Sequence, residues 1–163
     1  MIGLTRRGLT RGAYIGILAA YLEIFTEAEA RRSRHGLPDD LTLANAIANL
    51  EQDLASLRHS TPANAHIPLA SILTRAHALG MLYVLMGAQF GGAVIAKSLQ
   101  RHHPNLPRTF FAGTSNPAQW RGLLGLLEAS PVSQHAAILA GAERTFADVG
   151  RVVSRSCAEQ RGG

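Results

Sequence analysis

Seven histidines, one cysteine and a dense run of glycines are the residues of this 163-residue sequence whose types can carry chemistry. The histidines are His35, His59, His66, His77, His102, His103 and His135. Most fall at loop or helix-end positions, which favours exposed side chains with no ligand role. His102 and His103 resemble a metal pair only superficially, because adjacent residues on a helix point apart and no third ligand is near in sequence. Glu27, Glu29, Asp39, Asp40, Glu51 and Asp53 fit helix-face or capping charges better than a general acid/base pair. Cys157 stands alone in a polar tail, which excludes an internal disulfide and fits a reducing compartment. The sequence carries no nucleophilic triad, phosphate-binding loop or Glu-x-x-His iron motif.

The glycines are more informative. Between Arg75 and Lys97 no residue is charged, and the stretch holds Gly80, Gly87, Gly91 and Gly92. Each interior glycine costs a helix about 1 kcal/mol relative to alanine, so four in one helix call for a reason. On a helical wheel Gly80, Val84, Gly87, Ala88 and Gly91 share a face, and that face is almost bare of side chains. Three objects fit such a groove. One is another helix within a bilayer, since about 20 apolar residues span the hydrocarbon and Gly87-xxx-Gly91 is a small-residue packing spacing. The second is a tightly crossing neighbour in a soluble core. The third is a flat cofactor laid against the backbone, which also accounts for a kink at Gly91-Gly92. Amphipathic flanking helices, with Gln89 and His77 inside the segment, argue against the bilayer.

Helical periodicity dominates the rest of the chain, and the fold class is all-α. A first helix is expected from the N-cap Thr10 through Tyr14, Leu18, Leu22 and Phe25 to the stop His35-Gly36-Leu37-Pro38. A second follows Asp39 and Asp40, with Leu43, Ile47, Leu50, Leu54 and Leu57 on one stripe. The segment His59 to Pro68 reads as a loop. The glycine helix, His77 to Lys97, is the centre of a third element spanning roughly Leu69 to Arg101. His102 to Asn116 reads as a second loop anchored by Phe110-Phe111. Asn116-Pro117 and Ser130-Pro131 mark two more starts, giving helices Pro117 to Glu128 and Pro131 to Arg155. Their apolar stripes are Trp120, Leu123, Leu124 and Leu127 in the first, and Ile138, Phe146 and Val149 in the second.

Composition sets the outer limits. The length suits one domain over residues 1–163, with about 1–8 and 156–163 frayed. Apolar residues make up 47% and charged residues 17%, enough to form a core rather than a disordered chain. The net charge of +5 comes from arginine at every basic position except Lys97. Those arginines are scattered without zinc-finger spacing or aromatic interleaving, so they read as solvated charge, with no nucleic-acid partner. The Arg-rich start has no apolar secretory segment, which makes the cytoplasm the expected address, without a membrane.

The run Ala78-Leu79-Gly80-Met81-Leu82-Tyr83-Val84-Leu85-Met86-Gly87-Ala88-Gln89-Phe90-Gly91-Gly92-Ala93-Val94-Ile95 resembles the distal-helix motif of biliverdin-forming haem oxygenases, particularly those that supply bacterial phytochromes. Phe110-Phe111-Ala112-Gly113, Trp120-Arg121 and Thr145-Phe146-Ala147 agree as well, so the similarity extends from about Leu9 over nearly the whole chain. The resemblance implies a haem-oxygenase-like bundle in which haem, both substrate and cofactor, lies between a proximal helix bearing the iron-ligating histidine and this distal helix. It implies oxidative cleavage of haem to biliverdin, iron and carbon monoxide, with dioxygen and electrons from a reductase or ferredoxin, and a bacteriophytochrome as a recipient of biliverdin. Gly87, Gly91 and Gly92 match the distal glycines whose backbone approaches the bound dioxygen, and they are the catalytic positions the resemblance assigns. Tyr83, Val84, Gly87, Ala88, Gly91 and Phe146 become the cofactor-binding set. Basic residues at the rim would hold the propionates, with Arg11 and Lys97 as candidates.

The distal polarity and the proximal ligand depart from the family pattern. The glutamate before the first distal glycine is Met86 here, and the glutamine after the glycine pair is Ala93. The proximal histidine belongs to a helix upstream of Leu9-Thr10-Arg11, and the eight residues before that point contain none. The expected reading is a haem oxygenase domain, catalytic if the natural polypeptide includes the proximal helix. The alternative is a non-catalytic relative that has lost the iron ligand and binds haem, a bilin or a protein partner. No metal ligand is assigned, with His77, bordering the glycine face, as the one substitute.

Overall fold

The computed structural model describes residues 9–58, 69–113 and 115–159, with side chains up to residue 155. The described residues are helical throughout, with no strand. The helices are α1 (Arg11–Arg34), α2 (Ala44–Ser56), α3 (Arg75–Gln89), α4 (Gly92–His102), α5 (Thr109–Gly113), α6 (Pro117–Glu128) and α7 (Val132–Glu159). The expected loop over 59–68, His59 and His66 within it, and the ends of the chain lie outside the described residues.

Local signals set several boundaries. The Thr10 hydroxyl accepts from the Ala13 N–H and caps α1. At the other end Gly36 takes φ +63°, and the Leu37 N–H donates to Arg32 O, the left-handed stop that glycine permits. The Asn116 side chain accepts from Ala118 and Gln119 N–H, with Pro117 in the first turn of α6.

Other boundaries differ from the sequence expectation. Asp39 and Asp40 start a short 3-10 turn, Asp39–Leu41, rather than α2. The cap for α2 comes from α1: the Glu29 carboxylate accepts the Leu43 N–H at 2.9 Å and the Thr42 hydroxyl at 2.9 Å. α3 begins at Arg75, not near Leu69, because Leu69 sits at φ +63° and the Thr74 hydroxyl caps His77 N–H. The Ser130 hydroxyl turns back to donate to Leu126 O, and α7 starts at Val132.

The core runs as one cluster from Tyr14, Leu18 and Phe25 of α1 through Leu50 and Leu54 of α2 to Leu79 and Leu82 of α3, with Phe110, Phe111 and Leu123. Not all the arginines are solvated charge, as their scatter suggested. Arg31 and Arg32 are buried, Arg31 donating to Ile72 O and Arg32 to Leu37 O and Pro38 O, with Glu27 and Glu29 as their carboxylate partners. Their guanidinium forks satisfy carbonyls that helix and loop ends leave free.

Candidate functional site

α3 is the central element, packed against α7, α1 and α6. It continues into α4 through a break at Phe90-Gly91, where Phe90, Gly91 and Val94 N–H each donate three residues back instead of four. This local tightening kinks the glycine helix within a residue of the expected Gly91-Gly92. The segment Arg75–His102 is long and apolar enough to cross a membrane by length and composition, yet 56% of its most apolar window is buried inside the protein.

The four glycines do not share one open face. A Cβ on Gly80 would lie within 2 Å of Ile138 O, and one on Gly141 of α7 would lie 2.2 Å from His77 O. Reciprocal glycines thus let the α3 and α7 backbones touch, which is the tight-crossing explanation for Gly80. Gly92 is used in the same way, with a Cβ there falling 2.6 Å from Phe111 O of α5. Gly87 meets a side chain instead of backbone. The position of its missing Cβ lies 3.4 Å from Cη2 of Trp120, which reaches over from α6.

Around Gly87 the rings form a partly open aromatic surface. Trp120 lies 5.3 Å from Tyr83, tilted by 33°, and 5.6 Å from Phe90 in an edge-on pair. Tyr83 and Phe90 are 45% and 44% exposed. Ala88 is exposed, Gly91 half-buried, and Lys97 and Arg121 are exposed on α4 and α6. A surface of rings and bare backbone suits a planar apolar ligand.

The structure gathers only part of the expected site. Tyr83, Gly87, Ala88 and Gly91 stay together on this surface, whereas Val84 is buried beneath it. Phe146 does not share the buried stripe of α7 expected from sequence and is 66% exposed. The inward face of α7 runs instead through Gly141, Thr145 and Val149, and Phe146 lies about 100° around the helix from Thr145. It stands on the other side of the Gly80–Gly141 crossing from Gly87. Arg11 donates to Leu57 O and borders a cavity with His102 and His103, at the end of α4 away from Gly91. Trp120, which the sequence presented as an ordinary core residue of α6, is the residue that covers Gly87.

The histidines stand apart from this surface. His77 is ten residues before Gly87, roughly 15 Å along the helix. Its Nδ1 accepts the Leu73 N–H at 3.4 Å, and an Arg144 guanidinium nitrogen stands 3.4 Å from Nε2 while donating to Ser71 O. Partial burial, the Arg144 charge and His35 hold the His77 imidazole below its ordinary range. A histidine depressed on folding resists protonation in the folded state, while the unfolded chain takes up a proton near pH 6.5. Folded stability is therefore expected to fall as pH drops below about 6.5 and to level off once the folded-state value is passed. His77→Gln should flatten that part of the denaturation-versus-pH curve, and an unchanged slope would show that His77 is not its source. Among the described residues no group of three metal-type side chains assembles.

No protein-family model matches the chain, and no solved structure does. A haem oxygenase from Xanthomonas campestris pv. campestris (strain 8004) is 35% identical over 106 residues, 62% of this chain. The match spans 62% of the length of that relative. Over those residues this chain is similar to a bacterial haem oxygenase.

Proposed function

We propose that the surface formed by Tyr83, Gly87, Ala88, Phe90 and Gly91 is the distal side of a haem-oxygenase site. The chain would then take part in the cleavage of haem to biliverdin, iron and carbon monoxide. The observation that carries this reading is the conjunction of a kinked, uncharged glycine helix with exposed rings at its bare turn, in a sequence similar to a haem oxygenase. When bound, haem would supply the iron and the macrocycle on which the oxidation takes place.

The contribution of this chain is positional. The backbone at Gly87 and Gly91 admits a flat ligand closer than any side chain would, and Tyr83 and Phe90 offer ring faces and edges to it. With Met86 beside Gly87 the helix presents no carboxylate there, and polarity near the ligand falls to backbone groups, solvent and the exposed Tyr83. Exposed Lys97 and Arg121 supply cationic charge suited to carboxylates at the rim. Reduction would come from an external donor such as a ferredoxin or its reductase, and delivery of biliverdin to a bacteriophytochrome follows from the same reading.

One observation favours a second reading, a haem- or bilin-binding protein without turnover. His77 lies roughly 15 Å along α3 from Gly87, and His102 and His103 lie at the far end of α4. Ferric haem titrated into the purified chain separates the two. Turnover predicts a Soret band of a histidine-ligated complex and, with reductant under air, its replacement by the biliverdin absorption. Stable binding without bleaching supports the non-catalytic reading. Absence of any haem complex at micromolar concentration rejects both for this chain.

A further inference from the structure

We infer that Trp120 is a gate on the Gly87 surface: its indole occupies the place a planar ligand must take, and binding requires the ring to move off. This rests on the proposal that the α3 surface takes haem, and it adds a control element which that proposal does not contain.

The geometry leaves little alternative at Gly87. Cη2 and Cζ3 of the indole lie 3.4 and 3.6 Å from the missing Cβ, ordinary van der Waals contact. A macrocycle lying on the bare turn would occupy that same layer, so ring and ligand exclude one another. The indole lies tilted by 33° on Tyr83 and edge-on to Phe90, at the border of the core and not inside it. Both of those rings are nearly half exposed, and Trp120 itself is partly exposed. Leu123, one turn further along α6, is fully buried and anchors the helix, so the movement needed is a side-chain rotation and not a shift of α6. The rings that Trp120 leaves are the ones a porphyrin would then contact, so the ligand replaces the ring contacts it displaces.

Trp120 is the single tryptophan of the chain, which gives a site-specific probe. The protein is labelled with 5-fluorotryptophan and titrated with gallium protoporphyrin IX, a diamagnetic planar probe. Binding is followed by its Soret absorption and the indole by its one fluorine resonance. The expected result is a new fluorine resonance that grows in step with the Soret change. Trp120→Ala is expected to raise the association rate about tenfold, the scale set by two aromatic pair contacts, while Trp120→Phe stays near wild type. Porphyrin binding with an unmoved fluorine resonance, or with equal rates in wild type and Trp120→Ala, overturns the gate and leaves the haem proposal standing. No porphyrin binding by wild type or by either variant overturns both. Should Trp120→Ala fail to fold, the fluorine titration of the wild-type chain decides.

Discussion

Gly80→Ala is expected to lower the midpoint of thermal unfolding by roughly 10–15 °C. The added Cβ would fall within 2 Å of Ile138 O, with Ala142 N at 2.7 Å, and both are backbone atoms that cannot rotate away. The helices must separate, and the apolar contact between α3 and α7, the most extensive helix pair in the fold, opens along its length. Overpacking of a tight core costs about 1–3 kcal/mol where side chains can adjust, and a backbone-on-backbone clash belongs at or above the top of that range. About 4 kcal/mol, at some 2–4 °C for each kcal/mol in a domain of this size, gives the stated shift. Gly141→Ala, whose Cβ would meet His77 O at 2.2 Å, should behave alike. Gly150→Ala is the internal control: it lies on the same α7 with nothing within 4 Å of the added carbon, so helix propensity alone should raise stability by up to about 1 kcal/mol. Calorimetry on the three variants checks this, and a Gly80→Ala midpoint within a few degrees of wild type would contradict the crossing.

These glycines also mark the limit of what was legible in the sequence. A glycine in a helix announces that something approaches closely, but not what. Of the four in the glycine helix, Gly80 and Gly92 admit backbone from α7 and α5, segments some 60 and 20 residues away, and Gly87 admits an indole. The wheel placed Gly80 and Gly87 on a common face, yet α7 covers one turn of that face and α6 reaches the other. Features fixed by neighbouring residues were readable: Thr10 and Asn116 as caps, Gly36 as a left-handed stop, and the kink at the glycine pair. Features fixed by remote partners were not. The cap of α2 is a carboxylate from α1, and the exposure of Phe146 follows from which residue of α7, Thr145, faces inward. Only packing could reveal that a tryptophan on an amphipathic stripe covers the candidate site.

The second large effect is expected at Asp53. Among the acidic residues that read as caps, it is the one fully inside the protein, 1% exposed in the last turns of α2. Its two carboxylate oxygens accept the Thr109 and Phe110 N–H groups, each at 3.0 Å. Those are the first donors of α5, a helix of five residues, too short to persist without outside support. Asp53→Ala removes the carboxylate that both donors share, one of them buried and the other partly buried, at about 1–3 kcal/mol for each lost bond. A total near 3–4 kcal/mol follows, with Asp53→Asn near half of it because the amide keeps one accepting oxygen. The damage should reach the glycine helix. α5 carries Phe110 and Phe111, which pack on Tyr21, Phe25 and Tyr14, and the Phe111 carbonyl lies directly against Gly92 at the start of α4. Loosening α5 therefore removes the support behind the turn that holds Gly91. In Asp53→Ala, amide exchange at Thr109 and Phe110 should accelerate by two to three orders of magnitude, the fold-change equivalent of 3–4 kcal/mol, with a smaller increase at Gly92 and Ala93. Acceleration at α5 without any change at Gly92 would show that the capped helix supports only the aromatic core and not the candidate site.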